Sequence, residues 1–346
     1  MRLGLTFSGM DPMGTMMEFL PRAEAAGIGT VFFAEHVEHR DALVGAAAFL
    51  GVTERMRAVP TALSPYLRHP MMTAMAAATL NEAFPGRVVL MYGAGAPAGL
   101  EELGMRMTRP LRTIREAVEA TRLLFSGETV HYDGEIFPLR SARLSVRPDP
   151  PVPIHLAAVG PEMLRLAGEI ADGVCLSAAC TPAYYRWAIE RVLEGARRTG
   201  RKREDIEISA FLLCALGEDR EEAMEAARGR LLFLFGSRCL DPYMEVMGAK
   251  LDLDGITGAM NDGDWERART LIPDEVVAQH AVAGHEEECR AGLASFAETG
   301  LDLLVLRPLA KTPALWGGLL KIIGGGQNGA GGKSRNFKAR LEEARS

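Results

Sequence analysis

Residues 30–95 read TVFFAEHVEHRDALVGAAAFLGVTERMRAVPTALSPYLRHPMMTAMAAATLNEAFPGRVVLMYGAG. Three short apolar runs, 30–34, 58–62 and 88–92, are separated by two segments of helical period, 42–52 and 71–84. Strands that are apolar at nearly every position are buried on both faces, the state of strands in a parallel sheet covered by helices. Working outward, the alternation continues in both directions. Strands are expected at 2–7, 152–157, 173–176, 206–216 and 301–306, and helices at 13–26, 110–125, 161–171, 182–199, 220–235, 286–299 and 313–323. Eight strands in strict alternation with helices close most simply into an α/β fold of the (β/α)8 TIM-barrel type.

Local chemistry agrees with these boundaries. Thr181 before Pro182 and Thr312 before Pro313 place a capping hydroxyl ahead of a proline whose missing N–H costs nothing at a first helical position. Asp219 with Glu222 reads as a capping box. In 110–125, Leu111, Ile114, Val118, Thr121 and Phe125 share a face, with Arg112, Arg115, Glu116 and Glu119 elsewhere. Such a barrel needs about 250 residues, so a chain of 346 carries additions. We expect one barrel domain over 1–323 with insertions at about 128–150, read as a hairpin around Tyr132-Asp133-Gly134, and at 236–283, read as a lid. The segment 324–346, GGGQNGAGG and then a basic run, reads as a flexible tail.

Composition narrows the function. Apolar residues make up 48% and charged residues 24%, the balance of a globular protein. Thirty-nine basic against 45 acidic residues give a net charge of −6, which speaks against nucleic acid as a partner. No stretch is long and apolar enough to span a bilayer, and MRLGLTFSGMDPMG turns polar too early for a signal peptide, so no membrane partner and a cytoplasmic location are expected. Five cysteines without a CxxC pair indicate neither a disulfide framework nor a zinc knuckle, and all five are expected to be buried.

In a barrel of this kind the chemistry sits at the C-terminal ends of the strands. His36, after the second strand, is the leading candidate, because imidazole titrates near neutrality and can donate or accept a proton, with Glu35 placed to orient it. The run Glu35, His36, Glu38, His39 matches no metal-ligand spacing, so no metal is expected. Two glycine-containing loops, GAGAPAG after the fourth strand and AVGPEM after the fifth, allow a phosphorylated ligand to approach backbone N–H groups. No strand end carries the lysine that a Schiff-base aldolase needs, since Lys202, Lys250 and Lys311 lie elsewhere.

The stretches AEAAGIGTVFFAEHV, TALSPYLRHPMMTAMAAATLNEAFPGRVVLMYGAG, REAVEATRLLFSGETVHYDGEIFPL, PVPIHLAAVGPEMLRLAGEIADGV and EECRAGLASFAETGLDLLVLRPL occur in an order that resembles the bacterial luciferase-like superfamily. Within it the chain is similar to the branch of deazaflavin-dependent oxidoreductases that includes methylenetetrahydromethanopterin reductase. The resemblance implies a barrel holding FMN or the deazaflavin coenzyme F420 at its mouth, with a small organic substrate and a homodimeric assembly. It implies that His36 lies by the reactive ring and that Ala62 and Leu63 form a strand-three bulge with a non-prolyl cis peptide. It further implies that Gly93, Ala94 and Gly95 line the ribityl chain and that Ala158, Val159, Gly160 and Pro161 form the phosphate turn; the Glu162 carboxylate would repel a phosphate there, so its side chain is expected to turn to solvent or to pair with Arg165. Arg40 and Ala96 stand near the places of a tryptophan and a glutamate in the deazaflavin sugar-phosphate dehydrogenases. The strand-five loop differs from that of the luciferase-type monooxygenases, which favours F420 over FMN. The expected activity is hydride transfer between F420 and an organic substrate. The alternatives are a reduced-FMN monooxygenase and a flavin-binding barrel without turnover.

Overall fold

The computed structural model describes residues 1–309 together with 316 and 318–320. Its first half runs β1 (Arg2–Ser8), α1 (Met13–Ala25), β2 (Thr30–Ala34), α2 (Ala42–Val52), β3 (Arg57–Thr61), α3 (Pro70–Ala83), β4 (Leu90–Tyr92), α4 (Pro97–Glu102) and α5 (Pro110–Phe125). A hairpin of β5 (Val130–Tyr132) and β6 (Leu139–Ala142) follows, then β7 (Ile154–Ala158), α6 (Pro161–Ile170), β8 (Gly173–Leu176), α7 (Pro182–Arg198) and β9 (Glu207–Leu216). The remainder is α8 (Arg220–Gly236), α9 (Met244–Met247), α10 (Leu253–Asn261), α11 (Trp265–Thr270), α12 (Asp274–His280), β10 (Ala281–Gly284), α13 (Glu286–Ala297) and β11 (Leu303–Pro308).

Eight parallel strands lie in the order β3-β2-β1-β11-β9-β8-β7-β4. The ring closes between β3 and β4 through the bridges Ala58–Val88 and Leu63–Tyr92. Inside it Phe32, Val59, Val89, Met91, Cys175, Leu303 and Val305 form a buried cluster, and Phe32 meets Phe211 edge to face at 5.5 Å. Side chains fill the barrel, so a ligand is confined to its mouth.

The expected hairpin is present at β5–β6, pinned by a residue that the helical pattern had placed off the buried face. Glu116 is 3% exposed and accepts from Arg112 Nε (2.8 Å) and from the backbone N–H groups of Glu135, Ile136 and Phe137 (3.1, 2.7 and 3.1 Å). Burial alone would push its carboxyl up, but these donors together hold it below the usual carboxylate range.

The 236–283 segment, expected as a lid, is helical and packed into the core. It folds into α9–α12, and Leu240, Met244, Met247, Ile256, Ala259, Ile272 and Val277 join the main core. The sequence reading also lacked β10 and α4, which are four and six residues long. Strand β8 ends in register with Ala210, whereas β9 continues to Leu216, about 20 Å further, and pairs there with β10. Helix α8 follows after three residues and turns back toward the barrel, so α8–α12 hang from the extended β9–β10 pair. Asp219 caps α8 by accepting from Glu221 and Glu222 N–H, and Thr181 caps α7 through Tyr184 N–H.

All five cysteines are free, and Cys239 is exposed, contrary to the expectation that every one is buried, because it lies in the turn between α8 and α9. No helix of the described residues is long and apolar enough to cross a membrane. Trp316 and Gly318 to Leu320 are helical as expected, while Thr312 and the 324–346 tail lie outside the described residues.

Helices α6 and α7 cross at two glycines. A Cβ at Gly168 would stand 1.9 Å from the Val192 carbonyl oxygen, and one at Gly195 would stand 1.8 Å from that of Arg165. Backbone cannot yield as a side chain does, so the helices would have to part. Gly195→Ala is expected to lower stability by about 3 kcal/mol, read as a fall in the urea midpoint at unchanged slope.

Candidate functional site at the barrel mouth

The turn after β2 is tied down on both sides. Gly9 N–H bonds to Ala34 O (3.2 Å), Glu35 N–H bonds to Thr61 O, and His39 N–H closes on His36 O (3.2 Å). Asp41 caps α2 through Leu43 and Val44 N–H (both 2.9 Å) and pairs with Arg68 at 2.7 Å. His36 therefore projects from a fixed turn. Its ring meets that of His39 edge to face at 6.3 Å, and none of the described residues hydrogen-bonds to it. It reaches solvent on one side, yet the protein packed around the other side pushes its pKa down, reinforced by Arg230, His39 and Arg307.

Glu35 does not orient that ring. Its Oε2 accepts from Ala42 N–H at 3.2 Å, so this carboxylate serves the start of α2. Burial pushes its carboxyl up, opposed by the Ala42 N–H.

Around the rim from His36, β3 ends in a cis Thr61–Ala62 peptide, at the position expected for the bulge. Leu63 N–H bonds to Met91 O (2.9 Å), Gly93 N–H to Leu63 O (3.2 Å), and Ser64 Oγ donates to Ala94 O (3.0 Å). A Cβ at Gly93 would lie 2.6 Å from Ala62 Cβ and 3.3 Å from Ala157 Cβ, so only glycine lets these strand ends approach. Gly95 takes a left-handed φ of 84° beside Ser64.

The next strand, β7, ends at Ala158. Val159 O accepts from Tyr184 Oη (2.7 Å), and Gly160 leads into α6 in extended conformation with no side-chain cap. Pro161 has no N–H, and the amides of Glu162 and Met163 have no intrahelical acceptor, as at any helix start. Glu162 pairs with Arg165, as anticipated, leaving the amides open. Tyr243, from the helical insertion, comes down onto this turn: a Cβ at Gly160 would be 2.8 Å from its hydroxyl. The groove of about 510 Å³ outside the turn is lined by Arg112, Arg115, Arg198, Glu116, Glu119 and Glu169, and these charges pair with one another.

Two cations at the mouth escaped the sequence reading. Strand β11 extends two residues beyond the expected 301–306, which brings Arg307 to the rim, where it grips Asp11 at 2.5 and 3.1 Å with both side chains under 20% exposed. Arg230 lies within α8, close enough to His36 and Arg307 for its charge to act on both. Strand overrun and the length of β9 are the signals that would have found them. Arg40, which stands where relatives were expected to carry tryptophan, donates to Gly9 O at 2.5 Å. Among the described residues no three His, Cys, Asp or Glu side chains gather as metal ligands.

The eight-stranded parallel barrel with helices between its strands sets the fold class, and the comparisons give the family. The luciferase-like monooxygenase family model matches residues 4–303, and the chain belongs to that family. A curated relative, 5,10-methylenetetrahydromethanopterin reductase of Archaeoglobus fulgidus, is 28% identical over 310 residues, 88% of this chain and 92% of that protein. The F420-dependent glucose-6-phosphate dehydrogenase of Beutenbergia cavernae is 33% identical over 306 residues, 84% of this chain and 86% of its own. Among solved structures, the coenzyme F420 dependent tetrahydromethanopterin reductase of Methanopyrus kandleri superposes with a TM-score of 0.83 at 23% identity, over 93% of this chain and 97% of the other. An FMN complex of a type II Baeyer-Villiger monooxygenase from Pseudomonas putida shares the fold at a TM-score of 0.69 and 18% identity, over 94% and 96%.

The depressed His36 pKa yields a test. Its ring is expected to titrate below the ordinary imidazole value by NMR, and Arg230→Gln, which removes a repelling cation, should move that midpoint upward.

Proposed function

We propose that this protein is an oxidoreductase that transfers a hydride between coenzyme F420 and a small organic substrate. The carrying observation is the continuity of the rim. Strands β2, β3, β4 and β7 are consecutive in the ring, so His36, the Ala62–Leu63 bulge, the Gly93–Gly95 loop and the Ala158–Pro161 turn form one uninterrupted arc. The residues of this arc fit such a cofactor, because Ala62, Gly93 and Ala157 make a close-packed floor of small side chains and the α6 amides are open donors for a phosphate.

When bound, F420 gives or accepts a hydride at its ring. The chain's own residues do the rest. The Glu162 and Met163 amides, with the positive end of α6, would bind the phosphate. The tied turn holds His36 at the other end of the arc, after β2. With its pKa depressed, the ring is neutral at pH 7 and offers one N–H donor and one bare nitrogen, able to move a proton at the substrate atom. Tyr243 and the α9–α12 layer exclude water above the phosphate turn.

The reading takes residues 1–323 as one catalytic domain of a cytoplasmic homodimer. Five free cysteines support a reducing compartment. Val44, Met72 and Met75, which α2 and α3 leave 68%, 52% and 46% exposed, support an apolar contact face. The second reading is a reduced-FMN monooxygenase, supported by the FMN-bound neighbour of the same fold, and the third is a flavin binder without turnover.

Titration with F420 and with FMN, followed by absorption and fluorescence, separates them. Tighter binding of F420, with its reduction or oxidation on adding substrate, is the expected result. Preference for FMN would establish the second reading, and a bound chromophore that no donor or acceptor can change would establish the third. Gly160→Val should weaken F420 at least about tenfold, roughly 1.4 kcal/mol. Because the new side chain also meets the Tyr243 hydroxyl, its melting temperature should fall, and adding Tyr243→Phe should restore the melting temperature without restoring affinity. His36→Ala should keep F420 affinity within about twofold while turnover falls.

A further inference from the structure

Across the mouth from the α6 turn lies a second place suited to negative charge. Going around the ring, β1 and β11 sit opposite β7 and β4. On that far side Asp11 is saturated. Its Oδ2 accepts from Ser8 N–H (2.7 Å), Ser8 Oγ (3.2 Å) and Arg307 Nη1 (2.5 Å), and its Oδ1 accepts from Arg307 Nη2 (3.1 Å). Ten residues along α8, about 15 Å from the helix start, Arg230 comes near enough to Arg307, Asp11 and His36 for their charges to act on one another. It is half-buried, and no described carboxylate stands within ion-pair distance of it. Its guanidinium lies over the Phe233 ring at 4.9 Å. By contrast Arg112, Arg115 and Arg198 in the outer groove each have a carboxylate.

A half-buried guanidinium near a second guanidinium, with Asp11 already committed, lacks a counter-ion among the described residues. Two arginines against one aspartate leave an excess positive charge beside a neutral His36. Burial and Arg307 both press on the ionisation of Arg230, and an anion between them would relieve both. We propose that Arg230 and Arg307 bind a carboxylate or phosphate group of the organic substrate on the β1–β11 side of the mouth, next to His36. The cofactor phosphate and the substrate anion then have separate sites on opposite sides, and a substrate held there presents its reacting atom toward the middle of the mouth. The assignment of this anion to the substrate rests on the oxidoreductase reading, whereas the anion site itself rests on Arg230.

The test uses the full chain, with and without F420. Inorganic phosphate and, separately, acetate are titrated in while the His36 ring signal, assigned through His36→Gln, is followed by NMR. F420 affinity is measured by fluorescence. The wild type should show a saturable His36 shift. Arg230→Gln should weaken the anion at least about tenfold, and Arg230→Lys, which keeps the charge and serves as the folded control, should stay within about threefold, while F420 affinity is the same in all three. Unchanged anion affinity in Arg230→Gln overturns the proposal. So does a parallel loss of F420 affinity, which would assign the cluster to the cofactor. If the wild type fails to bind F420, the oxidoreductase reading falls, and the titration of the cofactor-free protein still decides whether Arg230 is an anion site.

Discussion

The seam between β3 and β4 is the constraint on which the rest of the molecule depends. These strands scarcely overlap as a ladder; the barrel closes there through Ala58–Val88 and again through Leu63–Tyr92, one at each end of the gap. The upper bridge requires the chain to turn at Thr61–Ala62 and Gly93 to carry no Cβ. Closure and the rim of the site are therefore the same structure. With the interior filled by Phe32, Val59, Met91 and their neighbours, the mouth is the place left for a ligand, and the small residues of the seam form its floor.

Electrostatics divide that mouth into halves. The side of β4 and β7 offers dipoles: open amides at the start of α6, with the nearest acidic side chain, Glu162, withdrawn onto Arg165. The side of β1, β2 and β11 offers full charges: Arg307 neutralised by Asp11, Arg230 without such a partner, and His36 kept uncharged by its surroundings. An uncharged imidazole between a dipolar half and a cationic half keeps both a donor and an acceptor at pH 7.

The barrel was legible in the sequence because period and punctuation agreed: uninterrupted apolar strands, Pro182 at a helix start and the Thr181 and Asp219 caps survive in the structure. The arc of site residues was legible because the ends of such strands follow from their positions. What escaped were features decided by tertiary context. Glu116 reads as a solvated charge on an amphipathic helix until the hairpin folds over it and donates three amides. The β9–β10 pairing sets Ala281 opposite Leu213, 68 residues away in sequence, a contact that local pattern does not encode. Without that pairing neither the position of α8 nor the presence of Arg230 at the mouth can be read.

The overhanging β9–β10 pair also works as a gauge. Residues in a parallel pair advance about 3.3 Å at a time and alternate faces, so removing two residues from each strand would lower the whole α8–α12 canopy by about 7 Å while keeping every side chain on its own side. Strand length, together with the packing of Tyr243 on Tyr184 and the bond from Thr181 to Met247 O, sets where that layer sits. A lineage can fit this scaffold to shorter or longer molecules by counting residues in two strands, with the floor left unaltered.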